Sequence, residues 1–203
     1  MDYYNTLAGV YGELHREEQL KKLHIIKEHL DIDLDIDTNT TIKIIDVGCG
    51  PCWSAEFFER VVGVDSAFDL LNSRLPVVQG TAERLPFCDS LFDVVLCVTA
   101  FHHFDAEKAV VEMKRVARRD AVFVITLLKK SSKFASLRRL LQEQFVVLNA
   151  IEEEYDFIYF LKDNPRFLLR DLMGVATKAQ RGTKHQRSEF SRGIIGGAVV
   201  IKI

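Results

Sequence analysis

Five short apolar runs rich in valine and isoleucine recur between residues 42 and 128: "IKIIDV", "VVGVD", "PVVQG", "FDVVLCV" and "AVFVITLL". They are too short for buried helices and lack a polar alternate face, so they read as strands buried on both sides. Helical patterns fall between several of them. "SAEFFER" (54–60) has Ser54 as its expected N-cap, "FDLLNSR" (68–74) is a second short helix, and residues 105–117 form a third. The third has Asp105 as N-cap and Ala109, Met113 and Val116 on one face. Buried strands alternating with helices require crossover connections, and so a parallel sheet covered on both faces. The fold class is a doubly wound α/β sheet.

The flanks extend this plan. Residues 16–30 place Leu20, Leu23, Ile26 and Leu30 at helical spacing, and "DIDLDIDTNTT" (31–41) reads as a solvated connection. A helix is expected over 133–145, with Phe134, Leu137, Leu141 and Phe145 inward. "YDFIYFL" (155–161) and "GAVVIKI" (197–203) read as two final strands. The sheet then has seven strands, mostly parallel, with the last antiparallel. One domain of 203 residues is expected: a helical cap and linker (1–41), a core (42–161), a basic insertion (162–195) between the last two strands, and the last strand (196–203).

Charge and cysteine usage exclude some classes. The net charge of −2 marks neither a nucleic-acid binder nor an acidic tail, yet residues 162–192 carry eight Lys/Arg against three Asp/Glu. Arg170, Lys178, Arg181, Lys184 and Arg187 could meet phosphates of RNA or an anionic small molecule, or belong to a solvated loop. Cys49, Cys52, Cys88 and Cys97 suit a reducing compartment, so a cytoplasmic location is expected. No signal peptide and no membrane span are expected.

The stretch "DVGCGPCW" (46–53) follows the first buried strand, where ligands of such sheets sit. A dinucleotide fingerprint needs a third glycine for close helix packing, and Trp53 stands in that position. A fixed carboxylate such as Asp46 would also repel a pyrophosphate. S-Adenosylmethionine, with its sulfonium and α-ammonium, suits the turn better. Asp65 ends the second strand, where a carboxylate can accept both ribose hydroxyls.

With these residues in view, the chain resembles a class I S-adenosylmethionine-dependent methyltransferase, most similar to the small ubiquinone/menaquinone-biosynthesis-type group. "DVGCGPC", "VVGVDSAFDLL", "VVQGTAERLPFCDSLFDVVLCVTAFHHF", "EMKRVA" and "AVFVITLLK" carry the resemblance in the expected order. It implies a Rossmann-like fold, S-adenosyl-L-methionine as cofactor and S-adenosyl-L-homocysteine as product. By position it implies that Asp46, Gly48, Cys49 and Gly50 line the methionine moiety and Asp65 holds the ribose. Ala82 and Glu83 would flank adenine, Thr99 would lie where cofactor meets substrate, and Tyr11 would cover the cofactor. The sequence departs from the family at Cys52, which replaces a glycine, at Thr81, which replaces an acid, and at "ARRD", which replaces a Pro-Gly-Gly turn.

Methyl transfer needs alignment of nucleophile, methyl and sulfur, and a base only if the nucleophile is protonated. His102 and His103 follow the fourth strand and either could take that proton, although adjacent residues point differently; a structural role beside Phe101 and Phe104 is the alternative. Cys49 and Cys52 form a CxxC without two further ligands at zinc spacing, so no metal is expected, and a redox role would compete with the ligand turn. Three functions stay open: methylation of a small molecule, methylation of tRNA or other RNA through the basic segment, and a non-catalytic binding or regulatory subunit.

Overall fold

The computed structural model describes residues 16–33, 42–67 and 76–164. The chain divides into two units, 1–164 and 165–203, and every described residue lies in the first. Helix α1 (Arg16–Glu28) runs into a π-helical turn at His29–Asp33. Strand β1 (Ile44–Val47) leads through a tight turn to a 3₁₀ turn at Trp53–Glu56, then to β2 (Val61–Asp65) and β3 (Val77–Gln79). Strand β4 (Phe92–Cys97) is followed by a 3₁₀ turn at Phe101–His103 and helix α2 (Ala106–Val116). Strand β5 (Ala117–Leu128), helix α3 (Phe134–Gln144) and strands β6 (Phe145–Glu152) and β7 (Asp156–Asp163) complete the described unit.

The sheet has seven strands in the order β3-β2-β1-β4-β5-β7-β6. Strands β1 to β5 pair in parallel, and β7 lies antiparallel between β5 and β6. Alternation along the strands divides the core. Ile45, Val47, Val95, Cys97, Phe123 and Ile125 pack with α2 and α3, whereas Ile44, Val94, Leu96, Val122 and Val124 pack with Leu23, Ile26 and Leu30. Each such side chain taken from water contributes about 1.5–3 kcal/mol. The chain order reverses between β1 and β4, so a crevice opens at the carboxyl ends of β1, β2 and β4.

Several expectations are corrected. The expected helix ends at Gln144, and "FVVLNAIE" is strand β6, an element not expected from the sequence, so the described sheet reaches seven strands by Asp163. Only residues 153–155 separate β6 from β7, and the expected basic insertion, apart from residues 162–164, lies outside the described residues. Strand β5 begins four residues earlier than expected, because "ARRD" is extended and Ala117 pairs with Phe92 ahead of a register shift. Ser54 is not an N-cap: Cys52 holds that position and Ser54 spends its hydroxyl on Asp46. Asp105 does cap α2, accepting from the Lys108 N–H at 3.4 Å. The expected elements "FDLLNSR", "DIDLDID" beyond Asp33, the residues after Asn164 and the strand at 197–203 lie outside the described residues.

Candidate functional site

At the carboxyl ends of β1, β2 and β4 lies a cavity of about 310 Å³. Its lining includes Asp46, Gly48, Cys49, Gly50, Asp65, Ala82, Glu83, Thr99 and His103. Eight of these are expected cofactor-binding residues; His103 is one of the two histidine candidates. Tyr11 lies outside the described residues.

The turn after β1 is shaped for close approach. Gly48 has φ +76°, and a Cβ there would lie 2.5 Å from the Ala100 Cβ and 2.8 Å from the Phe104 Cζ. A side chain at residue 48 would therefore both strain the backbone and collide with the far wall. The Gly48 and Cys49 N–H groups both donate to the Val64 carbonyl, at 2.7 and 3.1 Å, tying the turn to β2.

Two carboxylates face the cavity with different partners. Asp46 is buried at the centre of the sheet; its Oδ2 accepts from the Ser54 hydroxyl at 2.6 Å, and its Oδ1 has no hydrogen-bond partner. Burial pushes its carboxyl up to about 6, opposed by the Ser54 bond and reinforced by the Asp65 charge. An orphaned buried acceptor on a cavity wall fits a ligand that brings a cation or an N–H group. Asp65 accepts from the Gly50 N–H at 2.8 Å and the Ala67 N–H at 2.9 Å, one on each oxygen. Those bonds fix the carboxylate, and its remaining lone pairs can accept two vicinal hydroxyls. The donors and acceptors therefore fit S-adenosylmethionine.

Thr99 adopts φ +57°, donates its backbone N–H to Thr126 Oγ1 at 2.7 Å, and lies within hydrogen-bonding distance of Gln19 and Lys22 in α1. Lys22 is itself buried, paired with Glu18 and with the fully buried Asp156. Gln19 and Leu23 of α1 also line the cavity, as do Ser54, Ser66, Val98 and Phe104. None of these six was a sequence candidate. For Gln19 and Leu23 the helical spacing of Leu20, Leu23 and Ile26 marks an inward face but not what it faces.

His103 lines the cavity and His102 does not, a difference that separates the two histidine candidates. Burial lowers both imidazoles; His102 falls to about 4, aided by the neighbouring His103 and Lys133 charges. Glu83 reaches the cavity while its Oε1 accepts from the Asp105 N–H at 2.9 Å, so it also fixes the start of α2. Thr81, where the family places an acid, lines the cavity too and forms an isolated bridge with Arg84.

Residues 45–125 match the family model described as "Methyltransferase domain". The chain is 31% identical over 133 residues to the uncharacterized methyltransferase YcgJ of Bacillus subtilis (strain 168), covering 56% of this chain and 51% of that protein. The PH0226 protein from Pyrococcus horikoshii OT3 superposes with a TM-score of 0.61 at 15% identity, over 81% of this chain and 99% of that one. Magnesium protoporphyrin IX methyltransferase (ChlM) from Synechocystis PCC 6803, solved with bound SAM, gives a TM-score of 0.61 at 15% identity, over 80% and 94%. At such identities the structural likenesses establish the fold. The chain spans about half the length of the curated relatives it matches.

The fold, the glycine turn and the match over residues 45–125 are similar to those of class I S-adenosylmethionine-dependent methyltransferases. The cofactor of that class is S-adenosyl-L-methionine.

Proposed function

We propose that this chain transfers a methyl group from S-adenosylmethionine to an oxygen, nitrogen or carbon nucleophile of a small molecule. The observation that carries the reading is the pairing of two differently held carboxylates across one cavity: Asp46 with an orphaned oxygen, and Asp65 held by two backbone N–H groups. When bound, the cofactor supplies a methyl carbon already activated by its sulfonium leaving group. What the protein adds is alignment, up to roughly 7–11 kcal/mol in favourable systems.

In this reading the Gly48 turn admits the methionine end and Asp46 satisfies its charge. Asp65 holds the ribose, Ala82 and Glu83 border the adenine, and Thr99 lies beside the acceptor. His103 is the base where the acceptor carries a proton. Burial and the Lys133 charge lower its imidazole, which favours the neutral form that a base requires. His102 serves packing, its ring tilted by 42° against that of His103 at 3.9 Å between ring centroids.

The test is transfer from methyl-labelled cofactor to a separated pool of cellular small molecules or to bulk tRNA. Label in the small-molecule pool is expected. Label in the tRNA would replace this reading with the RNA one, and label in neither, with no cofactor bound, would favour a non-catalytic subunit.

A further inference from the structure

Cys49 and Cys52 remain unused by the chemistry above, yet they are placed against each other inside the cofactor turn. The Cys52 N–H donates to the Cys49 carbonyl at 2.9 Å, closing a four-residue turn that brings the two Cα atoms near. Both sulfurs rest on the same spot of β2: a Cβ at Gly63 would lie 2.5 Å from Cys49 Sγ and 2.8 Å from Cys52 Sγ. The glycine leaves room for two adjoining thiols. Cys49 lines the cavity, whereas Cys52 is fully buried behind it with φ +58°.

We propose that Cys49 and Cys52 are a reversible disulfide site whose closed form excludes the cofactor, a step resting on the cofactor reading above. With glutathione disulfide as oxidant, Cys49 thiolate attacks one of its sulfurs and releases a glutathione thiolate, which takes up the Cys49 proton. Cys52 thiolate then attacks the Cys49 sulfur of the mixed disulfide and releases the second glutathione. The protein pair loses two electrons and two protons, and glutathione disulfide becomes two glutathione thiols.

Access, not acidity, divides the roles: Cys49 reaches the cavity and Cys52 is buried, although the Cys52 contact and burial raise the Cys49 thiol while the same contact lowers Cys52. Closure draws Cys49 Sγ away from the Gly50 carbonyl, 3.5 Å distant in the thiol form. Gly50 lies inside the closed loop, and its N–H is one of the two bonds that orient Asp65. A disulfide across that loop would therefore act on the carboxylate assigned to the ribose. By linkage, a ligand that prefers the open dithiol must disfavour oxidation.

The experiment equilibrates the chain in glutathione redox buffers, traps thiols by alkylation and maps the peptides, with and without saturating S-adenosylhomocysteine. Expected is a Cys49–Cys52 link, two hydrogens lighter and reversed by dithiothreitol, with affinity for the ligand at least tenfold weaker. The midpoint potential then moves at least about 30 mV toward the oxidising side when ligand is present. The Cys52→Ser variant is expected to stop at a glutathione adduct on Cys49.

A persistent adduct on wild-type Cys49, or linkage through Cys88 or Cys97, would overturn the site. A mapped Cys49–Cys52 link with equal ligand affinity in both forms would overturn the exclusion. Calorimetry on the reduced chain keeps the two readings apart, since absence of ligand binding there refutes the cofactor reading whatever the peptide map shows.

Discussion

Replacing Gly48 by alanine tests the geometry of the turn. The residue has φ +76°, and forcing a side chain into the left-handed region costs about 1–2 kcal/mol. The new Cβ would also meet the Ala100 Cβ at 2.5 Å and the Phe104 ring at 2.8 Å. The Ala100 Cβ sits next to the backbone and cannot swing aside, so the wall must shift, at about 1–3 kcal/mol for an overpacked site. Together Gly48→Ala should lose about 2–5 kcal/mol of stability. Gly50→Ala is the internal control. It shares a positive φ of +52° but has no atom within 4 Å of the added Cβ, so only the backbone cost of about 1–2 kcal/mol applies. Urea denaturation of both variants beside the parent measures the difference. Equal losses, or a larger loss at Gly50, would refute the claim that the far wall closes on Gly48.

Three further outcomes follow from the same structure. Asp46 has a carboxyl raised to about 6 in the folded chain against an ordinary 3.8, so the fold binds its proton more tightly than the unfolded chain does. Stability should therefore fall as pH rises from about 4 through 6, and Asp46→Asn should flatten that slope in denaturation curves across the window. Lys22→Met leaves the fully buried Asp156 without its ion partner and is expected to cost about 3–5 kcal/mol. Pairing it with Asp156→Leu should recover much of that loss in a thermal melt, and no recovery would argue against the buried pair. Once an acceptor is found, His103→Ala should lower kcat by about 10²–10⁴ if that acceptor is protonated, and His102→Ala far less; equal effects would remove the distinction drawn from the cavity lining.

The parts of the fold legible in the sequence are those in which local pattern and burial agree. Strands β1, β2 and β4 are short β-branched runs buried on both faces, and Asp105 before an amphipathic run marks the start of α2. Strand β6 was hidden for a physical reason. It is an edge strand with Val146, Val147 and Leu148 exposed and a register shift between Val147 and Asn149, so no alternation survives. It also follows α3 with no glycine or proline between them, so no breaker marks where the helix ends and the strand begins. At the site, Asp46, Gly48 and Asp65 could be placed because one strand end carries each. Gln19 and the buried Lys22 could not, since their roles depend on Thr99 and Asp156, 77 or more residues away in sequence. Ser54 misled because a serine before a helical run looks like a cap, whereas here a buried acid competes for the hydroxyl.

Calorimetric titration of S-adenosylmethionine into the reduced chain and into Asp65→Asn tests the central claim most directly. One saturable site is expected in the parent, weakened at least about fivefold in the variant by the loss of one hydrogen bond of about 1 kcal/mol. No heat at millimolar cofactor, or identical dissociation constants for the two proteins, would contradict it.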